Sequence, residues 1–184
     1  MDKNITYKDA GCGLLFKGNS RDVKKIVVHN AVSSQDAEKV AQMNYFETIS
    51  KKREAFAHYY VDDEQVVRLA RDTWKAYHTG KKEWNDTTIG IEICVNPMGC
   101  LNECSNNQCV SDCKRFKTMR EKFYKAEDNA IDLIYTLLAK WNLTENDVVF
   151  HSDLKATACP FFTKKLHNLK EAPKFLTIFQ PKVD

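Results

Sequence analysis

The stretch FHSDLKATACP, residues 150–160, closes the short apolar run Val148-Val149-Phe150 and sets His151 and Cys159 eight positions apart. An imidazole nitrogen and a thiolate sulfur are both good zinc ligands, and zinc favours mixed nitrogen and sulfur sites with four positions. Two ligands need a third. His29 supplies it, because it ends the run KKIVVH, residues 24–29, as His151 ends its own: an apolar strand with a histidine at its tip. Two such strands and a cysteine on the following loop leave a fourth position open for water. That is the catalytic arrangement and not the closed structural one. Taken singly, each residue has a plainer reading. A histidine after a strand often caps an element or fills a core, and a Cys-Pro in a loop is often a buried thiol and a turn. The repeated strand–histidine pattern, with a cysteine in reach, shifts the balance toward a metal, and the spacing alone leaves both readings open.

The rest of the composition sets bounds. The chain has 184 residues, enough for one domain with a real core, and is 43% hydrophobic and 29% charged, as soluble globular proteins are. A net charge of +3 suits a polyanionic partner such as a cell wall or a nucleic acid and is diagnostic of neither. No apolar stretch approaches a membrane span. The opening MDKNITYKDAGCG has no apolar core segment, so no conventional secretory signal is expected. The Asn-x-Thr sequons at Asn4, Asn85 and Asn142 then carry little weight. Seven cysteines are many for a reducing cytoplasm. Four of them, Cys100, Cys104, Cys109 and Cys113, fall in one segment whose spacing is not that of a zinc knuckle. A thiolate metal site, two disulfides and four free thiols all remain open.

Taken in order, residues 1–22 read as an irregular lead-in broken by glycines. Residues 24–29 read as a strand buried on both faces. Ser33 or Ser34 caps a helix with Ala37, Val40, Ala41 and Tyr45 on one face. Residues 55–61 and 65–69 form a hairpin turned at Asp62-Asp63-Glu64, with His58 facing either a site or the core. Residues 73–87 read as a loop rich in aromatics. There Trp74, Tyr77, His78 and Trp84 either line a groove for a sugar or peptide or tuck into the core. Residues 88–95, TIGIEICV, form a strand in which Glu92 interrupts an apolar run. A carboxylate there is costly unless it is paired, working or turned to solvent. A Cys-rich surface insertion spans 96–115. Met119, Phe123, Ala126, Ala130, Ile134, Leu137 and Trp141 then mark a long amphipathic helix over 117–141. A last strand over 147–150 feeds His151, and a short helix follows around 163–169. No repeat or second domain interrupts residues 1–184.

Strand and histidine, helix, a hairpin carrying AHYYV, then IGIEIC, a long helix and a final H-x7-C-P closely resemble the type 2 N-acetylmuramoyl-L-alanine amidases. That family includes phage and prophage endolysins and peptidoglycan recognition proteins. The resemblance runs over roughly residues 20–170 through IVVHNAV, FAHYYVDDEQVV, AYHTG, TIGIEICVN, KAEDNAIDLIYTLL and FHSDLKATACP. It implies a single α/β domain, a central mixed sheet flanked by helices with one Zn²⁺ in a surface groove. His29, His151 and Cys159 would be the metal ligands. Glu92 matches the acidic residue that activates water; members without it place a tyrosine before the hairpin histidine, where this chain has Ala57. His78 matches a histidine lining the groove. Two departures stand out. Many bacterial members carry a lysine two residues before the metal cysteine, where this chain has Thr157, as recognition-protein relatives do. The Cys-rich insertion is outside the family pattern.

The implied reaction is metal-assisted hydrolysis of the amide between N-acetylmuramic acid and L-alanine. Glu92 and Thr157 are its catalytic candidates; His78, Lys155 and Trp74 are the substrate-binding ones. The expected partner is peptidoglycan, with neither nucleic acid nor membrane. Synthesis without a signal peptide and action on the wall after release fit an endolysin. A non-catalytic peptidoglycan-binding module would be expected to lack the metal cysteine, and Cys159 is present. A cytosolic amidase recycling soluble muropeptides stays open, as does an unrelated protein with core histidines.

Overall fold

The computed structural model describes residues 6–9, 21–50, 55–96 and 114–178, with backbone alone at 6–9 and 114–116. The four clustered cysteines of 97–113 lie outside the described residues. The elements are β1 (Thr6–Asp9), β2 (Lys25–Asn30), α1 (Ala37–Ile49), β3 (Tyr59–Val61), β4 (Gln65–Arg68), α2 (Lys82–Thr87), β5 (Thr88–Ile93), α3 (Lys114–Trp141), a 3-10 turn (Glu145–Asp147), β6 (Val148–Phe150), α4 (His151–Leu154), α5 (Phe161–His167) and α6 (Ala172–Phe175). The strands make one mixed sheet in the order β1-β4-β3-β5-β2-β6. β3, β5, β2 and β6 run parallel; β4 opposes β3 and β1 follows β4.

Period-two alternation divides the sheet's side chains between two cores. Ile26 and Val28 of β2, Ile89, Ile91 and Ile93 of β5, and Val148 and Phe150 of β6 face α3. They meet Phe123, Ala126, Ala130, Ile134 and Leu137, the apolar stripe expected of that helix. The opposite face carries Tyr60, Val67 and Cys94 against Ala37, Val40 and Ala41 of α1. β2 and β5 are covered on both sides, which is why their sequences read as near-continuous apolar runs.

Asp62 shows how one buried carboxylate can organise a corner. Its Oδ1 accepts from the amides of Glu64 and Gln65, both at 2.8 Å, which makes the hairpin turn. Its Oδ2 accepts from Ala37 N at 2.8 Å, satisfying an amide that the first turn of α1 leaves without a helical partner. Asp72 plays a similar part at the other end of the sheet. It accepts from the Tyr59 hydroxyl, Lys140 Nζ and Trp141 Nε1, tying the segment after β4 to the end of α3.

Several local expectations are corrected. The lead-in holds β1, whose sequence TYKD lacks the apolar alternation that would mark a strand. The cap of α1 is Asp36, whose side chain accepts from Lys39 N, in place of Ser33 or Ser34. The first hairpin strand is confined to Tyr59–Val61, and the loop over 73–87 contains α2. The C-terminal helix spans Phe161–His167 and is followed by a turn of helix opening on Ala172-Pro173, where proline needs no amide partner.

Candidate functional site

The site forms at the carboxyl ends of β2 and β6, the edge where parallel strands usually present ligands. β2 ends with His29 and Asn30, and β6 runs straight into His151 at the start of α4. Cys159 returns on the loop before α5, where its carbonyl accepts from Ser152 N at 2.8 Å. One nitrogen each from His29 and His151 and the Cys159 sulfur lie within 4.8 Å of one another. A tetrahedral zinc would place such donors roughly 3.4–3.6 Å apart. Cys159 Sγ and His29 Nδ1 already stand at 3.7 Å, and the two imidazole centroids are 4.5 Å apart. The donor set fits zinc.

Hydrogen bonds behind the histidines fix which nitrogen faces the centre. The Thr88 hydroxyl donates to the Trp84 carbonyl at 2.6 Å, so it accepts from His78 Nε2 at 3.1 Å. His78 Nδ1 is then bare and accepts from His29 Nε2 at 2.9 Å. That leaves His29 Nδ1 bare, on the side of Cys159. His151 Nε2 faces the Thr79 carbonyl at 3.1 Å and must donate to it, which bares its Nδ1 as well. Both histidines thus offer a lone pair inward and a donor outward, the pattern by which outer partners orient metal-binding imidazoles.

Electrostatics keeps the cluster neutral. Burial, with His78 and His151 adding to it, holds His29 well below the ordinary imidazole range. His78 is lowered in the same way by burial and His58. His58, left between site and core by its sequence, lies on the site's face of the sheet behind His78, with ring centroids 5.7 Å apart. Its Nδ1 accepts from Gly90 N at 3.0 Å and its Nε2 meets the Trp74 carbonyl at 2.9 Å. Burial and then the Arg21 guanidinium push it to about 3. Arg21 itself is anchored by the carbonyls of Asp72, Asn85 and Thr88. Gly90 is needed for space: a Cβ there would stand 2.6 Å from the His78 ring.

Glu92 is the register partner of His29 on one side and of Tyr60 on the other. It therefore projects from the same face of the sheet as both, and it is half-buried. Its charge reaches the site: burial first and Glu92 second push the Cys159 thiol up to about 12. The expectation that Glu92 alternates away from Ile91 and Ile93 holds, since those two fill the α3-side core.

A groove of about 590 Å³ opens beside His151, lined by Lys75, Tyr77, His78, Thr79, Gly80 and Lys155 among others. Lys155 is exposed and leans over Gly80, at φ +69°, where a Cβ would meet its Nζ at 2.4 Å. His78 lines this groove and also backs His29, so both its ring nitrogens are engaged. Thr157 Oγ1 accepts from Cys159 N at 3.3 Å, which steadies the ligand loop. Trp74 stands off the groove, half-buried against the α1-side core, with the Arg71 guanidinium 5.1 Å from its ring centroid.

Sequence reasoning names His29, His151, Cys159 and Glu92, which the structure brings to one edge of the sheet, and misses Arg21, Thr79 and Thr88. None interrupts a pattern, and their roles rest on carbonyls and contacts remote in sequence. The relay makes a checkable prediction. Thr88→Val removes the acceptor for His78 Nε2, frees the His29 tautomer, and is expected to weaken zinc binding by roughly 10- to 100-fold. Chelator competition measures it, and unchanged affinity would show that the relay does not orient His29.

Comparison with known proteins agrees with this geometry. The chain is 29% identical over 150 residues to a probable N-acetylmuramoyl-L-alanine amidase of Bacillus licheniformis, covering 75% of this chain and 36% of that protein. It is 27% identical over 153 residues to the endolysin PlyTW of Staphylococcus phage Twort, covering 81% and 28%. The chain thus spans about a third of the length of these curated relatives. Among solved structures, the catalytic domain of XlyA superposes with a TM-score of 0.68 at 23% identity, over 94% of this chain and 97% of that one. The profile of one family matches residues 19–161, most of the chain and every residue of the site, so the protein belongs to the N-acetylmuramoyl-L-alanine amidase family.

Proposed function

We propose that the protein is a zinc-dependent peptidoglycan amidase that cleaves the bond between N-acetylmuramic acid and the L-alanine of the stem peptide, as an endolysin-type catalytic domain. The observation that carries this reading is the two-nitrogen, one-sulfur donor set with Glu92 in register beside His29. His29, His151 and Cys159 would hold the ion, which when bound lowers the pKa of water and polarises a carbonyl. Glu92 takes the proton of the attacking water and returns it to the departing amine of L-alanine, so the step is balanced in protons. The groove beside His151 takes the stem, and Lys155, on its lining, supplies a positive charge toward the carbonyl oxygen as charge develops there. Thr157 steadies the Cys159 loop by accepting from the Cys159 amide.

Among the described residues no helix is long and apolar enough to cross a membrane, and the substrate proposed is the wall. Digestion of purified walls, with mass analysis of the new ends, tests the reading. Free L-alanine amines and intact muramoyl ends are expected, together with a fall in wall turbidity. Cleavage of soluble muropeptides alone would point to a recycling amidase, and binding without cleavage to a non-catalytic module.

A further inference from the structure

Two of the candidate metal donors, 3.7 Å apart, come from distant parts of the chain, His29 on β2 and Cys159 on the loop before α5. A buried polar string joins their neighbours. Asn30, next to His29, donates from Nδ2 to Thr163 Oγ1 at 3.0 Å, and Thr163 N donates back to Asn30 Oδ1 at 3.0 Å. Thr163 lies four residues after Cys159, in the first turn of α5. Its hydroxyl proton goes to Glu127 Oε1 at 2.7 Å, which is why its lone pair is free to receive the Asn30 amide. The other carboxylate oxygen of Glu127 meets His167 Nε2 at 2.7 Å. Asn30 is 7% exposed, and Thr163 and Glu127 are fully buried.

Glu127 sits on the apolar side of α3, among Phe123, Ala126 and Ala130. A carboxylate in that place is expensive, and burial pushes it above the usual range even with His167 opposing. A hydrophobic residue would usually serve stability as well or better. What the carboxylate does that an apolar residue would not is orient the Thr163 hydroxyl, and through it Asn30. The string thereby pins α5 to β2 one residue from His29 and four from Cys159.

We propose that Asn30, Thr163 and Glu127 form a clamp that sets the separation of the His29 and Cys159 donors, and so act as positioning residues for the metal. This rests on the zinc reading of the site. Thr163→Val keeps the shape and removes both bonds of the hydroxyl, so Glu127 no longer orients Asn30. Only the Thr163 N–H to Asn30 Oδ1 bond remains. It is expected to raise the zinc dissociation constant of the folded protein roughly 10- to 100-fold, the usual scale for outer partners of a metal ligand. Thr163→Ser restores the hydroxyl and is expected to restore affinity. Asn30→Ala cuts the clamp while leaving Thr163 and Glu127 bonded, so it serves where the valine variant does not fold. Ile134→Val, in the same core but off the string, reports what general loosening does. Affinity is read by competition with a chromophoric chelator at a temperature where each variant is folded. Parental affinity in Thr163→Val or Asn30→Ala, no rescue by serine, or an equal loss in Ile134→Val overturns the clamp. A parent protein that binds no zinc overturns the zinc reading instead, and the clamp with it.

Discussion

Replacing Glu92 by Gln is expected to slow wall hydrolysis by roughly 10² to 10⁴, the usual share of a positioned acid–base group. The change keeps the shape of the side chain and removes its proton acceptor. Zinc content is expected to stay at the parental level, because His29, His151 and Cys159 make up the donor set without Glu92. Stability is expected to hold or rise slightly, since a half-buried charge on a central strand is gone. A structural role would show the reverse pattern, lost stability with activity falling only in proportion to the folded fraction. Hydrolysis at the parental rate would remove Glu92 from the chemistry. The proton would then fall to Lys155, because both nitrogens of His78 are already engaged, one with His29 and one with Thr88.

The parts of this site that were legible in the sequence share one property: each breaks a local pattern. His29 and His151 end apolar strands, and Glu92 interrupts one. The long helix was legible because seven apolar residues recur at helical spacing over many turns, and tertiary packing follows that stripe. β1 was not, because TYKD is a short run of mostly polar residues that shows no apolar alternation. The cap of α1 was misplaced because Ser33, Ser34 and Asp36 are all good caps, and the backbone chose among them by geometry. α2 is six residues of mixed polarity, too short for a period to show.

Glu127 is the instructive omission. It carried the same signal as Glu92, a carboxylate on an apolar stripe, yet a polar residue on a helix is easily assigned to the solvent side. Its partners are Thr163 and His167, 36 and 40 residues away. Asn30 and Thr163 are 133 apart. Such contacts exist only once the sheet has brought β2 under α5, and no local window contains them. The outer partners of His29 and His151 are hidden for a related reason. One is reached through Thr88, an ordinary strand residue, and the other is a backbone carbonyl with no side-chain signature.

Cys159→Ser is expected to abolish tight zinc binding, with a loss larger than the roughly 10- to 100-fold typical of an outer-partner change, and activity is expected to fall with it. The pH dependence gives the test its sign. Burial and Glu92 push the free thiol up to about 12, with the Asn30 amide opposing them, so the metal-free protein holds that proton throughout the neutral range. His29 is held well below the imidazole range, and His151 is lowered too, by burial and Lys155, so neither has a proton to give up above about pH 6.5. Coordination requires the thiolate, so binding must release one proton, from Cys159. The parental affinity should therefore rise about tenfold per pH unit between roughly pH 6.5 and 8.5, strengthening as pH rises. In Cys159→Ser that slope should flatten, because no thiol proton remains to be displaced. Zinc titrations at three pH values in both proteins measure this directly. A flat parental profile would mean that the sulfur does not bind as thiolate, and full zinc retention by the serine variant would take Cys159 out of the site.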